Sequence, residues 1–133
     1  MIYVFDACAM LAVLKQESGA AVVEGLLLQP NAQLYAHATN LCEVFYGVRR
    51  DDGEAKALLA LNVLQGFGIK TRTDLDDTFW QDAGRLKADW RKISLADCYG
   101  LTLAQHVGGQ FVTSDHHELD PLAQAGFPIT FFR

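Results

Sequence analysis

Four acids stand where carboxylates can do chemistry: Asp6, Glu43, Asp97 and Asp115. Asp6 ends the apolar run Ile2-Tyr3-Val4-Phe5, and Asp115 ends the run Phe111-Val112-Thr113-Ser114. A short continuous run of this kind fits a strand buried on both faces, as in a parallel sheet. A carboxylate just past it sits at the carboxyl end of the strand, the edge where open α/β sheets bind ligands. Glu43 is set among Leu41, Cys42, Val44 and Phe45, and Asp97 among Leu95, Ala96 and Cys98. Carboxylates in apolar company are seldom buried unless paired or metal-bound. Four oxygen donors with no obligatory nitrogen or sulfur suit a hard cation, Mg²⁺ or Mn²⁺, and not zinc. One or two such ions would activate water, bind a scissile phosphate and steady the leaving oxygen.

Each acid also has a plainer reading. Asp6 is a good N-cap for a helix that follows it. Asp115, with Ser114 before it and His116 and His117 after, fits a turn. Glu43 lies three residues after Asn40, and Asp97 three after Ser94, which is capping-box spacing. The context that Asp6 and Asp115 share, an apolar run and then Asp, makes that pair informative. For Glu43 and Asp97 both readings stay open.

The elements that must position these groups alternate. Strands are expected at residues 2–5, 33–36, 69–72, 110–113 and 128–132. Helices are expected from Ala7 to Lys15 and from a Ser18 cap to about Leu28. A third runs from a Thr39 or Asn40 cap to about Arg50, and a fourth from about Glu54 to Gln65. A long helix is expected from Asp74 to about Arg91, with Phe79, Ala83, Leu86 and Trp90 on one face. Ser94 opens the next, which ends near Gly108, and the last runs from about Leu119 to Gln124. Alternation of this kind predicts a mainly parallel sheet of about five strands, with right-handed crossovers and helices on both faces: a three-layer α/β/α fold.

The chain of 133 residues suits a single domain spanning 1–133 with its own core. Half the residues are apolar and a fifth charged. No stretch is long and apolar enough for a membrane span, and no basic segment precedes an apolar one as in an export signal. Cys8, Cys42 and Cys98 have no paired spacing and are read as reduced, small, buried apolar groups, which suits a cytoplasmic location. The net charge of −5 opposes nucleic-acid binding by charge alone, unless cations cover the acids.

Taken in order, Val4-Phe5-Asp6, Asn40-Leu41-Cys42-Glu43 with Tyr46-Gly47, Ser94-Leu95-Ala96-Asp97 and Phe111-Val112-Thr113-Ser114-Asp115 resemble the PIN-domain family. In size and layout the chain is similar to the VapC-type ribonuclease toxins of that family. The resemblance covers nearly the whole chain. It implies a sheet in the order 3-2-1-4-5, with strands 1 and 4 adjacent. It implies that Asp6, Glu43, Asp97 and Asp115 hold Mg²⁺ or Mn²⁺ for endonucleolytic cleavage of RNA. It also implies a cognate antitoxin as partner and a homodimer. Thr113 matches a family hydroxyl and would orient Asp6 or a metal-bound water. Family members often carry a hydroxyl or amide residue just after the first aspartate, where this chain has Ala7, Cys8 and Ala9. A further acid often follows the last aspartate; Glu118 and Asp120 are the candidates, and both are read as solvated loop residues.

Arg85, Lys87, Arg91 and Lys92 form the densest basic region and could track phosphates toward the metal; they equally suit a solvated helix face. His116 and His117 are read as exposed turn residues. Trp80 and Trp90 are assigned to core or interface. Leu11, Leu14, Phe45, Val48 and Leu58 exceed what one small sheet needs, and some of them are expected to line a twofold interface. Two other functions compete. One is a PIN-like domain that binds RNA or protein without chemistry, which loss of an acid would have favoured. The other is a small-molecule phosphatase with Asp6 as nucleophile; such enzymes usually carry a second Asp two residues on, where this chain has Cys8.

Overall fold

The first strand, β1 (Ile2–Phe5), is the centre of the sheet. Val4 and Phe5 are fully buried, as the unbroken apolar run requires. The computed structural model describes residues 1–133. Its other strands are β2 (Gln33–His37), β3 (Lys70–Arg72), β4 (Gln110–Thr113) and β5 (Ile129–Phe131). All pairings are parallel, in the order β3-β2-β1-β4-β5. The chain moves outward from β1 to β3, then returns to β1's other side with β4. The carboxyl ends of β1 and β4 therefore lie at the switch point, where a crevice forms. Phe5 pairs in register with Val112, so Asp6 and Thr113 follow side by side.

Seven helices cover the two faces: α1 (Ala7–Lys15), α2 (Ala20–Leu27), α3 (Ala38–Asp52), α4 (Glu54–Gly66), α5 (Asp77–Asp89), α6 (Leu95–Val107) and α7 (His116–Gln124). Side chains alternate across the strands. Tyr3, Phe5 and Val112 enter one core with residues of α1 to α4. Val4 and Phe111 enter the other with residues of α5 to α7. The expected α/β/α layering, with a sheet of five strands, is what forms. No helix is long and apolar enough to cross a membrane.

Several boundaries differ from expectation for physical reasons. The second helix is capped by Gly19, not Ser18. Gly19 has φ 87°, and a Cβ there would lie 2.7 Å from the Phe132 ring, so both backbone and space demand glycine. The third helix starts earlier than Thr39 or Asn40, because the His37 ring caps it. The long helix starts at Asp77 behind an Asp76 cap, while Asp74 instead pairs with Arg72 through two bonds of 2.9 Å. The last helix begins at His116 because Asp115 caps it.

Candidate active site

Four helix starts converge on the crevice, and each places an acid. Asp6 follows β1 and caps α1, its Oδ1 accepting the Ala9 N–H at 2.7 Å. Asp115 follows β4 and caps α7, its Oδ1 accepting the Glu118 N–H at 3.0 Å. Both aspartates are thus caps that also lie close to other acids, so capping does not exclude a part in a site.

Glu43 is not a capping-box acid. The His37 Nδ1 accepts the Thr39 N–H at 3.2 Å, and its Nε2 lies 2.9 Å from the Asp74 carbonyl. These partners place the ring proton on Nε2. Asn40 is therefore inside the helix and fully buried, with Nδ2 donating to the Ala96 carbonyl at 3.2 Å. That bond ties α3, which carries Glu43, to α6, which carries Asp97.

Asp97 has only half of its capping box. The Ser94 Oγ accepts the Asp97 N–H at 3.2 Å. The returning bond is missing, since the Ser94 N–H goes to Glu118 Oε2 at 3.3 Å. The Asp97 carboxylate is left facing the crevice acids.

The tightest group is Asp97, Asp115 and Glu118, with one oxygen from each within 4.8 Å of the others. Glu118 is not a solvated loop residue. It lies in the first turn of α7, half-buried, three residues after Asp115. That spacing, Asp-x-x-Glu after an apolar run, is the signal that would have placed it on Asp115's face of a helix. Asp120 stands apart, bonded through Oδ1 to His116 Nδ1 at 2.8 Å.

Asp6 and Glu43 flank this group and feel its charge. Burial pushes the Asp6 carboxyl up to about 7; the Thr113 hydroxyl and the Ala9 N–H pull it down, while Glu43 and Asp115 push it further up. Burial also raises Asp97, to about 8, with Asp6, Glu43, Glu118 and Asp115 adding repulsion. Glu43 is raised by burial and by Glu118. None of the molecule's ion pairs involves any of these five acids. Desolvated, mutually repelling carboxylates without a cation are what a hard divalent ion would satisfy. The donor set therefore fits Mg²⁺ or Mn²⁺. Thr113 is buried at the join, its Oγ1 accepting the Asp115 N–H at 3.1 Å. It touches both strand-end aspartates.

A PIN domain model matches residues 3–123. The chain belongs to the PIN domain family. No curated protein matches the chain. Solved structures give the PIN fold close counterparts at low identity. VapBC-1 from nontypeable Haemophilus influenzae has 15% identity and a TM-score of 0.76, covering 99% of this chain and 98% of that one. VapBC2 from Rickettsia felis, bound to a DNA fragment from its promoter, has 16% identity and a TM-score of 0.77, with 98% of each chain covered. VapC20 from Mycobacterium tuberculosis, described as a sarcin-ricin loop cleaving toxin, has 18% identity and a TM-score of 0.68, with 96% of each covered. At these identities the likeness is one of fold.

The other singled-out residues of this PIN domain are scattered. Arg85 pairs with Asp82 at 2.9 Å. The Lys87 Nζ donates to the Arg91 and Ile93 carbonyls at 2.8 and 2.6 Å. Arg91 and Lys92 line a cavity that reaches Glu118. Two of the three cysteines are not buried: Cys8 and Cys42 are exposed, and only Cys98 is enclosed. Cys8 lies two residues after Asp6, and Cys42 one residue before Glu43. Although part of Cys8 reaches solvent, partial desolvation of its thiol, with the nearby Asp6 and Asp97 charges, pushes it up to about 12, so it stays protonated.

Proposed function

We propose that this PIN domain, acting as one unit over residues 1–133, is a metal-dependent endoribonuclease and the toxin of a toxin–antitoxin pair. The observation that carries the reading is the group Asp97, Asp115 and Glu118, with oxygens within 4.8 Å and no cation among their partners. Asp6 and Glu43 complete the acidic crevice. RNA as substrate is supported by VapC20, which is described as cleaving the sarcin-ricin loop. An antitoxin partner is supported by the VapBC complexes that share the fold.

The roles follow from the geometry. Asp97, Asp115 and Glu118 would hold Mg²⁺ or Mn²⁺, with Asp6 and Glu43 beside them. When bound, the metal supplies an activated water and offsets charge at the scissile phosphate. The Ala9 N–H fixes Asp6 Oδ1, and Thr113 fixes the Asp115 backbone, so both carboxylates are held before substrate arrives. Burial and mutual repulsion raise both Asp6 and Asp97, so the cation-free cluster retains protons toward neutral pH. Loading a metal therefore releases protons from the site.

The antitoxin would place an arginine among the acids, since a guanidinium matches carboxylates with two bonds. Exposed Tyr46, Leu58, Leu59 and Val63 on α3 and α4 supply an apolar face for a homodimer. Of the candidates for that interface, Val48 is consumed by the protein's own core, whereas Leu58 is 52% exposed.

The test is cleavage of RNA by the purified protein with Mg²⁺, with Mn²⁺ and with excess chelator. Activity that needs the metal and maps to defined ends on sequencing supports the reading. Undiminished cleavage in chelator refutes the metal, and no cleavage with either ion, in the presence of total cellular RNA, refutes the nuclease.

A further inference from the structure

Most of the protein's cations are already engaged. Of the eleven lysines and arginines, Arg49, Arg50, Arg72, Arg85 and Arg133 each lie against a carboxylate. Lys87 is bonded to two carbonyls. Among the rest, Arg91 and Lys92 alone line a cavity that also contains an acid of the candidate site, Glu118. Lys15 and Lys56 line a separate cavity with Leu14 and Leu59, and Lys70 another beside Tyr35.

The cavity holding Arg91 and Lys92 has a volume of about 330 Å³ and is also walled by Trp90 and His117. That is within the range of about 300–1,000 Å³ usual for small-molecule sites. Its turn is held firmly. The two Lys87 bonds close the backbone from Arg91 to Ile93, Ile93 is fully buried, and the Ser94 N–H is bonded to Glu118. Trp90 is braced edge-on against Phe127, with ring centres 6.0 Å apart and planes at 88°. Free cations, aromatic rings and a rigid turn are what a single strand of nucleic acid requires: charge for the phosphate and a ring face for the base. The protein's net charge is −5, and Asp89 lines the same cavity beside Glu118, so the two cations act on a phosphate by direct contact and not through a net positive field.

We propose that this cavity is the subsite for the RNA nucleotide next to the scissile phosphate. Arg91 and Lys92 hold its phosphate, and the rings of Trp90 and His117 receive its base. Lys87 is a positioning residue that presents the two cations and does not touch RNA. The proposal rests on the nuclease reading above and adds to it where the strand lies.

The experiment uses the Mg²⁺-loaded protein, a short single-stranded RNA of random sequence, and the double variant Arg91→Ala/Lys92→Ala. The expected result is a KM raised at least about tenfold with kcat nearly unchanged. The log–log salt slope of RNA binding should fall by about 0.7, the value for one lost phosphate contact on a single strand. The double variant Lys15→Ala/Lys56→Ala should change neither. A second reading comes from fluorescence. The chain has two tryptophans, so in Trp80→Phe protein the signal belongs to Trp90 and should be quenched as RNA binds. Wild-type cleavage with an unchanged KM and salt slope in Arg91→Ala/Lys92→Ala overturns the subsite and leaves the nuclease standing. A Trp90 signal blind to bound RNA overturns the stacking. Failure of the wild type to bind or cut RNA overturns both readings together.

Discussion

The backbone N–H of Ser94 is given to Glu118 across the crevice, at 3.3 Å, and not to Asp97 three residues ahead. A closed capping box would have spent the Asp97 carboxylate on its own helix. Here the N–H serves the site, and Asp97 faces other acids with a pKa of about 8. A folded pKa above the ordinary value of 3.8 means that the native state binds the extra proton between those limits. This stabilising contribution is fully present below pH 4 and is lost as pH rises through about 8. At pH 7 in chelator, Asp97→Asn should therefore stabilise the protein, by at least roughly 1 kcal/mol. Mg²⁺ should reverse the order by favouring the folded wild type. Thermal unfolding of both proteins, with and without Mg²⁺ and from pH 4 to 8, checks the sign. Destabilisation in both conditions would return Asp97 to the role of a cap.

Glu118 should matter as much as the aspartates. Glu118→Gln keeps an oxygen for the Ser94 N–H, so the fold should stand. It removes one of the three charges in the tightest group. Affinity for Mn²⁺, measured by calorimetric titration, should fall at least roughly tenfold. Asp120→Asn, which touches His116 and not the crevice, should leave it unchanged.

The strands, and with them the two strand-end aspartates, were legible because buried parallel strands are uninterrupted apolar runs. Ile2–Phe5 is such a run, Phe111 and Val112 form the apolar centre of Gln110–Thr113, and both strands sit where expected. Strand order came from family resemblance, since periodicity alone does not say which strands meet. Glu43 and Glu118 were harder for two different reasons. A histidine ring caps α3, and histidine is outside the usual set of capping residues, so the sequence points to Thr39 or Asn40, and Asn40 is instead a buried strut to Ala96. Glu118 is hidden as long as Asp115 and its neighbours are taken for a turn. Once Asp115 is a cap, the glutamate falls into the first helical turn. The cysteines were misjudged by composition: thiols near apolar residues are usually buried, yet the crevice leaves Cys8 and Cys42 open.

Self-association should depend on α4. Leu59 is 60% exposed and Val63 is 41% exposed, four residues apart on one face. Leu59→Glu adds a charge where water already reaches, so its direct effect on monomer stability should be within about 0.5 kcal/mol. If this face pairs two copies, light scattering should show a dimer for the wild type and a monomer for Leu59→Glu. A monomeric wild type across a wide concentration range rules the dimer out.

Asp6→Asn separates the two jobs of Asp6. Asparagine caps a helix about as well as aspartate, so the bond from the Ala9 N–H survives. The buried charge does not. Cleavage should be abolished while the melting temperature in chelator stays level or rises, because a carboxyl held up to about 7 by burial is costly to ionise. A large loss of stability would show that the charge itself supports the fold.

The last prediction concerns how α6 is seated. Gly100 lies on the face of α6 that packs on β4, and a Cβ there would collide with the Phe111 ring and come within 3.0 Å of Asn40 Nδ2. The absent side chain thus lets the helix bearing Asp97 lie close to the strand bearing Asp115. Gly100→Ala should lift α6 from the sheet and destabilise the protein by roughly 1–3 kcal/mol, the usual cost of overpacking. This outweighs the gain in helix propensity of about 1 kcal/mol that alanine brings. The folded fraction should also bind Mn²⁺ more weakly, because Asp97 moves away from Asp115 and Glu118. Phe111→Leu removes the ring that obstructs the new methyl group, at its own cost in burial. If the clash is the cause, the double variant should lose less stability than the sum of the two single variants, with coupling of at least about 0.5 kcal/mol. Denaturant unfolding of the four proteins measures it, and strict additivity would place the glycine's role elsewhere.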